Sequence, residues 1–197
     1  MKLVILDRDG TINSDSDDFV KSPEEWQPLP GALEAIARLS HAGWHVVIAS
    51  NQSGLGRGLF DVASLNAMHA KMHKMLAAVG GRVDAVFYCP HAPEESCNCR
   101  KPLPGLFEQI GSRFGVPLKD VPTAGDSVRD LQAGSSAGCE PHLVLTGKSA
   151  QYRSGGQPDG LPVGTLFHTD LSAFVDFILD RGAQIAQPNM GARALPN

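Results

Sequence analysis

Short apolar runs alternate with amphipathic stretches along residues 1–181. KLVIL (2–6) is unbroken, as in a central parallel strand covered on both faces. GALEAIARLSHAG (31–43) sets Ala32, Ile36 and Leu39 on one helical face and stops at Gly43. WHVVIAS (44–50) reads as a second strand. A helix over 61–79 follows, entered through Asp61, with Leu65, Met68, Met72, Leu76 and Val79 along one side. DAVFYC (84–89) is a third strand, and 104–115 a helix with Pro near its start and Gly at its end. VPTAGDS (121–127) predicts a strand, VRDLQAGSSAG a helix and PHLVLTG (141–147) another strand. TLFHTDLSAFVDFILDRG closes the pattern with a short strand and a final helix. Residues 182–197 show little periodicity and read as a flexible tail.

Strand-then-helix order repeated this way predicts an α/β chain: a doubly wound, Rossmann-like parallel sheet with helices on both faces, in one domain over 1–181. Ligands of such sheets bind beyond the carboxyl ends of the strands. Those ends carry Asp7 and Asp9, Ser50 and Asn51, Cys89, and Asp126. The segments 13–30 and 53–83 are too short for a mobile second domain, so the expected site is capless and open.

Composition narrows the partners. The chain has 197 residues, 42% of them apolar, and a net charge of −4, with a pI near 5.9. No global field favours nucleic acid or an anionic membrane, yet a phosphorylated small molecule needs only local cations. No apolar run approaches the ~20 residues of a membrane span. The N-terminus starts straight into a strand, with no charged and then apolar leader. The expectation is a cytoplasmic protein, by default a monomer.

DRDGTIN (7–13) places two carboxylates two residues apart at the mouth of a buried strand, where they repel unless a cation sits between them. As a nucleophile on phosphorus, Asp7 would form an acyl phosphate and split one hard displacement into two easier ones. Mg²⁺ prefers oxygen ligands of this kind, here the carboxylates of Asp7 and Asp126 with the backbone carbonyl of Asp9. The Asp9 side chain can reach the other side of the phosphoryl group as general acid and then base, its pKa expected to be raised by like-charged neighbours. Ser50, Lys101, Thr11 and the amides around Gly10 supply donors for phosphoryl oxygens.

In order, DRDGT, SNQ, RKP and GDSVRD resemble the haloacid dehalogenase superfamily of phosphotransferases, over roughly residues 1–147. The resemblance implies Asp7 as nucleophile, Asp9 as general acid/base, Ser50 and Lys101 as phosphoryl stabilisers and Asp126 as Mg²⁺ ligand. Asp130, one helical turn on, would support Mg²⁺ or Lys101.

CPHAPEESCNCRKP (89–102) contains C-x-H-x5-C-x-C. Cys89, His91, Cys97 and Cys99 match a closed structural Zn²⁺ site, a brace and not a Lewis acid. Such a brace would fix Arg100 and Lys101, which follow directly. A zinc loop running into CRKP is similar to those of heptose bisphosphate phosphatases and histidinol phosphatases. SNQSGLGRGLF and VLTGK look more like the former, which remove the C7 phosphate of heptose 1,7-bisphosphate; the x5 gap and Ser127 keep histidinol phosphate open as an alternative. A non-catalytic zinc-braced binding protein is the reading from another class, opposed by intact Asp7, Asp9, Lys101 and Asp126. For a sugar bisphosphate, Arg100 and Arg57 are expected at the second phosphate and Asp15 and Asp18 at sugar hydroxyls. Asn51, Gln52 and Ser127 complete the expected substrate contacts. His69 and His73, at i and i+4, read as a solvent-facing pair, the Met68, Met72 and Met75 series as core, and Cys139 as a small buried hydrophobe.

Overall fold

The computed structural model describes residues 1–186. Six strands, β1 (Leu3–Leu6), β2 (His45–Asn51), β3 (Ala85–Cys89), β4 (Pro122–Gly125), β5 (Glu140–Val144) and β6 (Leu166–His168), form one sheet in the order β3-β2-β1-β4-β5-β6. All the pairings are parallel. The helices are α1 (Ala32–His41), the single turn α2 (Ser53–Gly56), α3 (Val62–Ala78), α4 (Gly105–Phe114), α5 (Val128–Ser136) and α6 (Leu171–Ala186). The expected doubly wound sheet is therefore present, and its strand order reverses between β1 and β4.

Alternation along β1 splits the core in two. Val4 and Leu6 pack with Ile36, Met68 and Phe174 under α1, α3 and α6, while Leu3 and Ile5 pack with Leu106, Phe107 and Ile110 under α4. Both faces of β1 are dry, which is why LVIL (3–6) has no polar position. Each such fully buried aliphatic side chain contributes about 1.5–3 kcal/mol. Met68 and Met72 are buried as expected and Met75 packs at the rim of the same cluster; Cys139 is buried.

Three boundaries differ from the sequence reading. β4 ends at Gly125 and β5 at Val144, short of the apolar runs that suggested 127 and 147. Beyond Val144 the chain turns back over β1: the Thr146 hydroxyl donates to the Gly10 carbonyl at 2.6 Å, and a 3₁₀ segment runs over Gly147–Ser154. The strand stops where the chain turns polar at Thr146–Ser149 and makes that tertiary contact. The expected tail from 182 is also corrected, because α6 continues to Ala186; the remainder of that stretch, 187–197, lies outside the described residues.

Candidate active site

β1 delivers Asp7 to the point where the strand order reverses. Its amide donates to the Ala124 carbonyl at 2.9 Å, so Asp7 stays tied to β4 while the chain turns through Arg8–Asn13. Gly10 makes that turn at a φ of 79°, and a Cβ there would collide with the Asp126 carboxylate. The Lys101 ammonium, 2% exposed, reaches Asp7 Oδ1 at 2.6 Å, Asp130 Oδ1 at 2.6 Å and the Ala49 carbonyl at 2.7 Å. Its three protons are thereby all directed. Asn51 holds the lysine backbone from β2, its amide group donating to the Lys101 carbonyl and accepting from the Lys101 amide, each at 3.0 Å. Asn51, expected at the substrate, thus has both halves of its amide engaged in placing Lys101.

Carboxylate oxygens of Asp7, Asp126 and Asp130 converge within 4.8 Å of one another. Burial raises Asp7 to about 7, with Asp130 and Asp9 adding to it against Lys101. Burial likewise raises Asp126 to about 8, with Asp130 and Asp7 adding to it. Burial opposes the charge of Lys101, but Asp130 and Asp7 hold it protonated above its ordinary value. One lysine thus faces more carboxylate than it neutralises, and the all-oxygen donor set fits a hard divalent cation such as magnesium. The Lys148 amide donates to Asp126 Oδ2 at 2.7 Å, aiming that carboxylate.

A linkage follows with a definite sign. The metal-free fold binds more protons than the unfolded chain between the ordinary carboxylate pKa and about 8, so it loses stability as pH rises through that window. A divalent cation displaces those protons. Calorimetry is expected to find magnesium bound at least ~10-fold more weakly at pH 6 than at pH 8. The thermal shift on adding magnesium should be correspondingly larger at pH 8, and equal shifts would contradict the assignment.

Asp9 departs from expectation. Burial would raise it, but Arg8 together with hydrogen bonds from Asn13, Arg8 and Gln52 outweighs burial and holds its carboxyl below the usual range. Arg8 donates from Nη2 to both oxygens at 2.9 Å, Asn13 Nδ2 to Oδ1 at 2.8 Å and Gln52 Nε2 to Oδ2 at 2.8 Å. The carboxylate therefore rests as a base. An incoming phosphate dianion adds the negative charge that draws a proton onto it. Gln52 also donates to the Ser50 hydroxyl at 2.8 Å, joining the end of β2 to the same network.

These groups line a cleft of about 350 Å³. Ser50, Asn51, Gln52, Asp15, Arg57, Arg100 and Ser127 line it. Asp18 does not: it is exposed and outside the lining, whereas its neighbour Asp17 is in it. Asp15 pairs with the Lys148 ammonium at 3.2 Å across the mouth. Ser127 caps α5, its amide and hydroxyl both donating to Asp130 Oδ2 at 3.0 and 2.7 Å, so its hydroxyl holds a carboxylate of the cation site. Arg57 is exposed beside Glu94 at 3.8 Å.

Cys89, His91, Cys97 and Cys99 also converge, their ligand atoms within 4.8 Å. The Cys89 and Cys97 sulfurs lie 3.8 Å apart, and His91 Nδ1 is 3.4 Å from Cys89 Sγ and 3.3 Å from Cys99 Sγ. A tetrahedron with metal–sulfur bonds of ~2.3 Å has edges of about this length. Burial pushes the Cys89 thiol up to about 12, so a cation at the centre is what would make it a thiolate.

Sequence reading missed Arg8, Asn13, Lys148 and His69. Arg8 is 1% exposed, and an arginine inside the motif next to two aspartates was the available signal. His69 is corrected outright: it is half-buried and turned inward to Arg8 Nη1 at 3.3 Å, whereas His73 is exposed.

Comparison with known proteins gives concordant results. A family model described as Polynucleotide kinase 3 phosphatase matches residues 2–128, and one described as HAD-hydrolase-like matches 98–161. A D-glycero-beta-D-manno-heptose-1,7-bisphosphate 7-phosphatase of Bordetella bronchiseptica is 58% identical over 179 residues, 91% of this chain and 98% of the relative. The crystal structure of a D,D-heptose 1,7-bisphosphate phosphatase from B. bronchiseptica, complexed with magnesium and phosphate, is 57% identical. It superposes with a TM-score of 0.87 and covers 92% of this chain and 99% of that one. The D,D-heptose 1,7-bisphosphate phosphatase from Burkholderia thailandensis is 52% identical, with a TM-score of 0.70 over 91% and 99% of the two chains.

Proposed function

This chain belongs to the D-glycero-beta-D-manno-heptose-1,7-bisphosphate 7-phosphatases of the haloacid dehalogenase superfamily, and on that premise we propose that it removes the C7 phosphate of the β-anomer of heptose 1,7-bisphosphate through a phosphoaspartate at Asp7. What carries the reading is the buried Asp7–Lys101 pair at 2.6 Å facing Asp126, in a chain 58% identical to such an enzyme over nearly its whole length.

An Asp7 oxygen attacks phosphorus as the bond to the C7 oxygen breaks, and that oxygen takes a proton from Asp9. In the second step Asp9 takes a proton from water as the water oxygen bonds to phosphorus and the Asp7–phosphorus bond breaks. Phosphate and heptose 1-phosphate leave. Ser50 holds an equatorial oxygen throughout, and Lys101 redirects one of its three protons from its resting acceptors to another. Asp7, Asp126 and the Asp9 carbonyl would hold magnesium, with Asp130 in support; bound there, magnesium neutralises the charge that builds between nucleophile and phosphate. Arg100 and Arg57 are assigned to the C1 phosphate, and Asp15 and Asp17 to sugar hydroxyls. Nucleic acid is disfavoured by the net charge of −4 and by these acidic groups at the mouth of the cleft. Among the described residues no helix is long and apolar enough to cross a membrane.

Phosphate release with magnesium tests the reading, heptose 1,7-bisphosphate and histidinol phosphate being compared at matched concentrations. A preference of ~100-fold or more for the bisphosphate, about 2.7 kcal/mol, is expected. Phosphorus NMR should show the C1 phosphate intact. The opposite preference would overturn the substrate and leave the chemistry in place.

The four-ligand loop is assigned to zinc as a structural clip. Cys97→Ser is expected to lose the metal, measured by mass spectrometry of the native protein, and to weaken substrate affinity before it changes the chemical step, because Arg100 and Lys101 follow the loop directly. One zinc retained per chain would refute the ligand set.

A further inference from the structure

Four side chains that the chemical steps do not use converge behind Asp9. Arg8 lines the cleft yet is only 1% exposed. Its Nε and Nη2 are occupied by the Asp9 carboxylate, Nη2 also donates to Gln52 Oε1 at 3.2 Å, and Nη1 meets His69 Nε2 at 3.3 Å. Arginine carries no acceptor, so the His69 Nε2 is the acceptor of that contact and the ring proton sits on Nδ1. Burial, with Arg8 and His73 adding, lowers His69 to about 4, which keeps the ring neutral as this role requires. Gln52 is fixed in orientation too, since a flip would set its oxygen against the Asp9 carboxylate. Asn13, fully buried, closes the remaining side.

A carboxylate two residues beyond the nucleophile has three staggered χ1 wells and a broad χ2, and only part of that range aims it at the leaving oxygen. A forked guanidinium is a planar template for one of them, provided something holds the guanidinium. We propose that His69, on α3, is that anchor: it fixes Arg8, and Arg8 fixes the direction of Asp9, which makes His69 and Arg8 positioning residues for the general acid/base. The inference rests on the reading of Asp9 as acid and base. It gives α3 a part in the reaction, although α3 carries no group that touches the phosphate.

A positioning role separates from a merely structural one by leaving group. A sugar C7 oxygen needs a proton to leave, whereas p-nitrophenolate does not. kcat/KM covers only the steps through cleavage of the phosphorus–oxygen bond, so the second half-reaction does not blur the comparison. His69→Phe keeps the ring volume and removes the acceptor; His69→Gln keeps an acceptor. His69→Phe is expected to lower kcat/KM for the heptose bisphosphate by about tenfold or more, part of the 10²–10⁴ that a general acid supplies. The value for p-nitrophenyl phosphate should change less than about twofold, and His69→Gln should restore most of the loss. Asp9→Asn is the control for the underlying reading and must show the same selectivity more strongly; an equal loss on both substrates there would refute Asp9 as the acid. With that control selective, an equal loss on both phosphates in His69→Phe, or none on either, would overturn the anchor.

Discussion

Asp7→Asn is expected to abolish turnover, lowering kcat by at least ~10⁴-fold, and to leave no phosphoenzyme detectable by mass spectrometry of the quenched reaction. An amide oxygen cannot displace the C7 oxygen from phosphorus, and no other carboxylate occupies the same place, since Asp130 is committed to Lys101 and Ser127. The stability of this variant distinguishes lost chemistry from lost structure. Asp7 is raised to about 7 because burial and the neighbouring Asp130 disfavour its charge, so a neutral isostere relieves repulsion in the metal-free protein. Its melting temperature without magnesium should be unchanged or higher at pH 8. Its gain from added magnesium should shrink, as one ligand has lost its charge. Residual activity within ~100-fold of the parent would remove Asp7 from the nucleophile's role.

Lys101→Met should give the second largest effect, and on two axes at once. Replacing the ammonium removes a fixed donor to the phosphoryl oxygens, worth ~10²–10³ in kcat for a single preorganised donor. It also leaves Asp7 and Asp130 buried without their shared cation, a loss on the order of 3–5 kcal/mol when one partner of a buried pair is removed. The sign with pH is fixed by which partner remains. Asp7, raised to about 7, faces Asp130 with its charge at pH 8; at pH 5 it takes up a proton and the deficit narrows. Denaturant melts at both values check this, and an equal deficit at pH 5 and pH 8 would mean that the Lys101 contribution is packing and not charge.

Most of the cation site was legible in the chain because its residues sit at strand ends, and strand ends follow from the apolar pattern. KLVIL predicts β1 and therefore puts Asp7 beyond its carboxyl edge; WHVVIAS does the same for Ser50 and Asn51. The Cys/His loop was legible for a similar reason: its four candidate ligands are local, falling within an 11-residue segment that leaves the end of β3. Spacing failed where a side chain's partner is distant. His69 lies 61 residues from Arg8, and it reads as solvent-facing because it lacks a nearby Glu for a metal pattern and lies away from the strand ends. The raised pKa expected for Asp9 failed for a different reason. Counting nearby carboxylates omitted an arginine whose side chain, adjacent in sequence, folds back onto the carboxylate rather than away from it.

By itself the sequence determined the order of strands and helices, the carboxylates at their ends and the metal-ligand spacing of the loop, because these depend on local periodicity and local chemistry. Only the tertiary structure decided the charge state and direction of the groups in the site. Lys101 lies between Asp7 and Asp130 because β2, through Asn51, holds its backbone from 50 residues away in the chain. Asp126 is aimed by an amide from the turn after β5, and Asp9 is held by α3 and β2 through Arg8 and Gln52. Electrostatic energies in a dry cleft depend on ångström separations and on which neighbours exclude water, and packing of elements far apart in the chain sets both.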